Sequence, residues 1–145
     1  MKNYERHHRS LAADAGERTV WVLPNPCEMT ITKLVIAQTG GTPVAFTATI
    51  FNSKTVLAGS QSSGGDDPAG AYSPDPRLFR LCEPLPSDAP GYLERYYHEG
   101  NGLNFSNMDG GSSNKERKLY LEIVAPGGTA DATWDVAIGG WTDVG

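Results

Sequence analysis

Short runs of alternating apolar and polar residues, separated by turns rich in Gly and Pro, make up most of the chain after residue 16. In the run 44–51, Val44, Phe46, Ala48 and Ile50 fall on one face, which is typical of a half-buried β-strand. About seven to nine such strands predict an all-β antiparallel sandwich, of jelly-roll or immunoglobulin-like type. The other predicted strands are 19–23, 29–39, 54–58, 77–82, 92–98, 103–106, 119–124 and 132–138.

The run 29–39 breaks the alternation at one point. Ile31 falls on one face, whereas Leu34 and Ile36 fall on the other. A β-bulge near Lys33 would place all three on the same side, because a bulge inserts one extra residue into a strand. Burial of both faces would also explain the pattern.

Two turns predict hairpins. The pair Asn101-Gly102 is favoured in two-residue hairpin turns, so 103–106 is expected to return beside 92–98. The segment Pro126-Gly127-Gly128 similarly predicts that 119–124 and 132–138 pair with each other. The long interruption 59–76 cannot bury an apolar face and is expected to be an exposed loop.

The first sixteen residues show no such alternation. We expect 1–16 to form an extended N-terminal arm, outside a single sandwich domain at 17–145. Its basic cluster is either a solvated tail or a docking arm that orders against an acidic partner surface. The candidate partner-binding residues are Tyr4, Arg6, His7, His8 and Arg9.

Charge and cysteine content narrow the classes of function. With 12 Lys and Arg against 17 Asp and Glu, the net charge is −5, which gives no general attraction to nucleic acid or to an anionic membrane. The polar N-terminus lacks the apolar stretch of a secretory signal, so we expect synthesis in a cytoplasm. There, Cys27 and Cys82 are expected to pack as small thiols, with a disulfide as the alternative.

Residues for catalysis are sparse. Of three histidines, His7 and His8 lie on the predicted arm, and His98 has no nucleophile motif around it. Neither a phosphate-binding glycine motif nor a calcium-loop motif is present. The sequence therefore predicts a protein that is not an enzyme, with no catalytic residue, no metal and no cofactor.

Aromatic residues offer a further binding hypothesis. Tyr92 and Tyr96 share one face of a predicted strand, Tyr97 lies on the other face, and Trp21 lies on a separate strand. Such rings are candidates for a subunit interface or for stacking on sugar rings, and burial in the core is the competing interpretation.

The layout of the whole chain resembles the decoration (cement) proteins and other minor structural proteins of tailed-bacteriophage virions. The likeness rests on the arm at 1–16 and the strands at 19–23, 44–51, 119–124 and 132–138. It implies a non-enzymatic virion structural protein, made in the host cytoplasm, that binds the outside of an assembled capsid and stabilises it by bridging subunits. The implied partners are the major capsid protein or another virion protein, and further copies of the chain in a homo-oligomer, with a trimer favoured.

The alternative is a carbohydrate- or receptor-binding β-sandwich module, as in a virion fibre or tail or a sugar-binding domain. This alternative requires exposed Tyr or Trp side chains on one face.

Overall fold

The structure is a computed structural model that describes residues 2–14, 16–25, 29–53, 78–98, 102–105, 117–128 and 131–142. Within these ranges the chain forms ten β-strands and no helix. The strands are β1 (Lys2–Ala12), β2 (Arg18–Asn25), β3 (Met29–Gly40), β4 (Thr47–Ser53), β5 (Leu78–Arg80), β6 (Leu85–Pro86), β7 (Tyr92–Tyr96), β8 (Leu103–Phe105), β9 (Arg117–Val124) and β10 (Thr133–Thr142).

The strands form two antiparallel sheets. Sheet A has the order β1-β10-β3-β7, with β8 also paired to β3. Sheet B has the order β2-β9-β4-β5, with β6 also paired to β4. This arrangement confirms the all-β, antiparallel class predicted from the alternation.

One hydrophobic core draws on both sheets. From sheet A, β10 contributes Trp134, Val136 and Ile138, and from sheet B the core receives residues such as Trp21 and Leu121. The sheets meet at an aromatic contact in which the ring centroids of Phe46 and Trp134 lie 4.9 Å apart at an interplanar angle of 77°. This edge-to-face arrangement is the one that aromatic pairs favour.

The irregularity in the run 29–39 is a bulge, the first of the two explanations given above. Lys33 pairs with Gly139 and Ile31 pairs with Gly140, so Thr32 is one extra residue on β3 at this point. The bulge brings Ile31 and Leu34 to the same side, and both are fully buried in the core.

The N-terminal segment corrects the expectation of an arm. Residues 2–12 form β1, an edge strand of sheet A that pairs with β10 from Lys2 opposite Thr142 to Ala12 opposite Thr133. A search for alternating apolar residues misses this strand because its inward positions are mostly polar. Its register also shifts near Ser10, whose φ is +56°.

Both predicted hairpins are wrong. β9 and β10 lie in different sheets, and β8 pairs with β3 rather than with β7. The alternation in β9 and β10 specified one buried face on each strand, and these faces contribute to the same core from opposite sheets. A buried face does not determine which strand lies alongside.

Several predicted features lie outside the described residues: the strand 54–58, the loop 59–76 and Cys27. Strand β4 begins three residues later than the predicted run 44–51 and ends two residues later, and β5 ends two residues before the end of the predicted run 77–82. No helix capable of crossing a membrane occurs in the ranges given above.

We expect Trp134→Ala to lower the free energy of unfolding by about 3–5 kcal/mol, because it removes a fully buried ring and leaves a cavity between the sheets. Urea titration followed by fluorescence or circular dichroism measures the change. Tyr96→Ala, at a position 63% exposed, is the matched control and should shift the free energy by no more than about 0.5 kcal/mol. Equal losses in both variants would contradict this assignment of the core.

Candidate functional site

The side of sheet A that faces away from the core, here called the outer face, carries three cross-strand rows of side chains. Residues paired across an antiparallel ladder lie side by side on the same face. Read from β1 through β10 and β3 to β7, the rows are Glu5, Gly139, Lys33 and Tyr96; then His7, Ala137, Val35 and Glu94; then, from β10 onward, Asp135, Ala37 and Tyr92.

Because Gly139 has no side chain, an ion pair can form across it between Lys33 and Glu5 of the first row. The Lys33 side chain lies across this glycine, since its Cβ and Cδ are 3.5 Å from where a Cβ on Gly139 would stand. Its Nζ then donates to Glu5 Oε1 at 2.9 Å. This hydrogen bond is the main reason that the pKa of Glu5 is lowered and the pKa of Lys33 is raised.

Further polar contacts lie along β1 and between β1 and β10. Within β1, His7 Nε2 lies 3.1 Å from Glu5 Oε1, and across to β10, Arg9 Nη1 lies 3.7 Å from Asp135 Oδ2. The Ser10 N–H donates to Asp135 Oδ1 at 2.9 Å, at the position where the register shifts. These groups are largely exposed, so each ion pair contributes little to stability.

The opposite side of the outer face is a ridge of tyrosines on β7. Tyr92 is 38% exposed and Tyr96 is 63% exposed, and Glu94 lies between them. The Tyr92 hydroxyl donates to Glu94 Oε2 at 2.7 Å, which is the main cause of a raised pKa for Tyr92. Core burial, the competing interpretation of these two rings, is therefore wrong.

The other two candidate aromatics differ. Trp21 is buried in the core, and its Nε1 donates to the Ala12 carbonyl at 2.8 Å, so this ring cannot stack on a ligand. Tyr97 is half-buried, and burial is the main cause of a raised pKa for its hydroxyl. The exposed candidates thus reduce to the two tyrosines of the ridge.

The two edges of sheet A differ in their backbone groups. At β7, the Tyr92 carbonyl accepts from the N–H groups of Asp88 and Ala89, and the Glu94 N–H donates to Asp88 Oδ2 at 2.7 Å. The Arg95 guanidinium in turn donates to the carbonyls of Glu94 and Pro86. This edge is blocked against pairing with another strand over most of its length.

The edge at β1 is open. In the described part of the chain no strand pairs with β1 on the side away from β10. The backbone N–H and C=O groups of successive residues in a strand point alternately to its two sides. The Gln38 N–H donates to the Gly91 carbonyl on the β7 side, so the backbone groups of Lys33 and Val35 point toward β10. The same alternation, continued across β10, directs the backbone N–H and C=O of Asn3, Glu5 and His7 away from the sheet.

The inward positions of β1 carry unusual residues for a sandwich. Arg6 and His8 pair with Ile138 and Val136, whose side chains lie in the core, so both residues share the inner side. His8 Nε2 is buried and has no hydrogen-bond partner among the described residues. Burial, and then the charges of Arg6 and His7, lower the pKa of His8.

A cavity of about 310 Å³ opens at the end of the outer face nearest the first row. The residues that line it are Asn3, Tyr4, Glu5, Thr32, Lys33, Gly139 and Gly140. Among the described residues, no three His, Cys, Asp or Glu side chains are grouped so as to hold a metal ion.

The sequence interpretation selected Tyr92, Tyr96 and the β1 residues, but it missed Lys33, Glu5 and Gly139 as one group. Lys33 and Glu5 lie far apart along the chain, and only the β1–β10–β3 register brings them together. The signal that could have pointed here is Gly139-Gly140. These glycines lie inside β10 rather than at its end, and glycine within a strand often marks a close approach or a bulge.

Comparison with known protein families, with curated proteins and with solved structures gives no significant match to this chain.

We expect the protein to lose stability in acid partly through His8. Because the pKa of His8 is lowered in the fold, the unfolded chain binds the proton more readily. Stability is therefore fully present above the ordinary histidine pKa of about 6.5, and it falls as the pH drops toward the pKa of the folded state. Urea titrations at about pH 7.5 and about pH 5 measure the difference.

His8→Gln should reduce this difference between the two pH values, while His98→Gln, at an exposed position, should leave it as in the wild type. An unchanged pH dependence in His8→Gln would show that His8 is not responsible.

Proposed function

We propose that the fold is a jelly roll. Counting β5 and β6 as one position, and β7 and β8 as another, gives eight positions along the chain. The first pairs with the eighth, the second with the seventh, the third with the sixth and the fourth with the fifth, so the pairings are nested. Two four-position sheets with this order are the jelly-roll arrangement, which occurs in viral capsid and lectin domains. An immunoglobulin-like order would place the first two strands side by side in one sheet, whereas β1 and β2 lie in different sheets.

We propose that this protein is a non-enzymatic structural protein of a virion, which binds the outside of an assembled capsid and stabilises it by bridging subunits. The observation that carries the proposal is the edge of β1, an 11-residue strand that is unpaired on one side among the described residues, whereas the opposite edge is blocked along β7. An unpaired edge strand is a template for a strand from another chain. The partners are further copies of the chain and a capsid protein.

The charged residues of β1 also favour its open edge as the binding surface. The chain has a net charge of −5, yet the open edge strand β1 carries two arginines, Arg6 on its inner side and Arg9 beside Asp135. A partner strand with acidic side chains would be attracted to this edge, and like charges would discourage indiscriminate pairing. Binding only to the assembled shell is enough to stabilise it, because a ligand of one state shifts the equilibrium toward that state.

We expect His7→Pro to abolish assembly while leaving the sandwich folded. The His7 N–H points away from β10, so proline removes a donor of the open edge and no hydrogen bond of the sheet. His7→Ala is the matched control, because it removes the imidazole but keeps the N–H. Light scattering of the free protein and co-sedimentation with virions of the virus that encodes the chain measure assembly.

Wild type and His7→Ala should form the same oligomer and sediment with particles, and His7→Pro should do neither despite an unchanged circular dichroism spectrum. Full assembly by a folded His7→Pro variant would show that the open edge of β1 is not the assembly surface. Absence of the chain from purified virions by mass spectrometry would overturn the virion function itself.

A further inference from the structure

The cavity on the outer face combines the polar groups of a small-ligand site with an aromatic ring beside it. Its volume of about 310 Å³ is at the lower end of the range for small-molecule sites. Its lining includes Asn3, Tyr4 and Glu5 of β1, so it adjoins the assembly surface proposed above, which consists of backbone groups of the same strand. A ligand here would add a function to that of the assembly edge.

The charges that line the cavity already neutralise each other. Lys33 Nζ and Glu5 Oε1 are 2.9 Å apart, and His7 Nε2 reaches the same carboxylate oxygen at 3.1 Å. An ionic ligand would have to compete with this pairing. A neutral hydroxyl group would not, because the ammonium and the carboxylate keep unused donors and acceptors beside each other.

Asn3 and Thr32 also line the cavity, and an amide and a hydroxyl can each donate and accept hydrogen bonds. A ligand with adjacent hydroxyl groups can therefore accept a hydrogen bond from one lining group and donate to the next.

An exposed aromatic residue, Tyr96, is the cross-strand neighbour of the lining residue Lys33. Tyr96 pairs with Lys33 across β7 and β3, and its hydroxyl is close enough to contribute to the raised pKa of Lys33. At 63% exposure, the ring offers apolar surface to a ligand. The electron-rich face of an aromatic ring attracts the positive edges of C–H bonds, which line one side of a sugar ring.

The first row thus places an aromatic ring, an ammonium group, a glycine and a carboxylate in line across four strands. Three interstrand spacings of about 4.8 Å give the row a length of roughly 14 Å, enough for a sugar ring to lie along it. Gly139 contributes to the lining. A Cβ there would be in ordinary contact with the Lys33 side chain and the Tyr4 carbonyl, so a side chain larger than a methyl group would take up part of the space.

We propose that this cavity binds a neutral hexose unit of a glycan, with Tyr96 stacking on the sugar ring and with Glu5 and Lys33 hydrogen-bonded to its hydroxyl groups. Asn3 and Thr32 complete the polar lining. The exposed tyrosine that the carbohydrate-binding alternative requires is thus assigned to one ring, Tyr96.

The test uses the full chain and methyl glycosides of glucose, galactose, mannose and N-acetylglucosamine, with binding measured by saturation-transfer NMR and titration calorimetry. We expect at least one of these sugars to bind the wild type. Tyr96→Ala should weaken this binding by about tenfold, a factor that corresponds to roughly 1.4 kcal/mol. Gly139→Val, which takes up part of the space, should abolish it.

Tyr92→Ala is the matched control, since Tyr92 is an exposed tyrosine of the same strand that pairs with Ala37, two rows from the cavity. It should bind within about threefold of the wild type, a change of less than about 0.7 kcal/mol. Circular dichroism and the urea midpoint verify that each variant is folded.

Three results would overturn the proposal: no binding of any of the four sugars to the wild type, wild-type binding by a folded Gly139→Val variant, or equal losses in Tyr96→Ala and Tyr92→Ala. Binding of a peptide or capsid protein at this cavity without sugar binding would assign it to a protein partner instead. His7→Pro and His7→Ala both remove the imidazole beside Glu5, so the comparison of the two isolates the edge donor, and Gly139→Val keeps that donor. Loss of assembly and loss of sugar binding are therefore measured separately.

Discussion

The pairing of β10 between β1 and β3 is the constraint on which the rest of the structure depends. It turns Trp134, Val136 and Ile138 into the core and leaves Ala137 and Gly139 on the outer face. The bulge at Thr32 keeps this register compatible with burial of both Ile31 and Leu34. The backbone hydrogen bonds of β10 therefore determine both which of its side chains enter the core and which lie on the outer face.

Much of the fold is readable from the sequence because burial leaves a period-two signal. The runs around Val136 and Leu121 follow it closely, and even the bulge near Lys33 was visible as a break in the alternation. Strand partnership left no such signal. β9 and β10 are consecutive and joined by a turn motif, yet they lie in opposite sheets, because nothing in their alternation specifies a neighbour.

The N-terminal strand shows a different limit. Tyr4, Arg6 and His8 occupy inward positions at the edge of the sandwich, where each side chain is only half-buried, so the strand carries no apolar stripe. The outer-face cavity was harder still to foresee. Its polar groups come from β1 and β3, and part of its lining comes from glycines on β10, three segments that only the completed sheet brings together.

The nested pairings also order the folding of the chain. Phe51 pairs with Arg80, Ile36 with Leu93, Trp21 with Leu121 and Arg6 with Ile138, so the separation along the chain grows at each step outward. Each inner pair shortens the loop that the next pair must close, and β1 has the farthest to travel. Until β1 docks, β10 presents an unpaired edge that the β1 of another copy can fill equally well. Domain swapping between neighbouring copies thus competes with the last step of folding, and dilution favours the closed monomer.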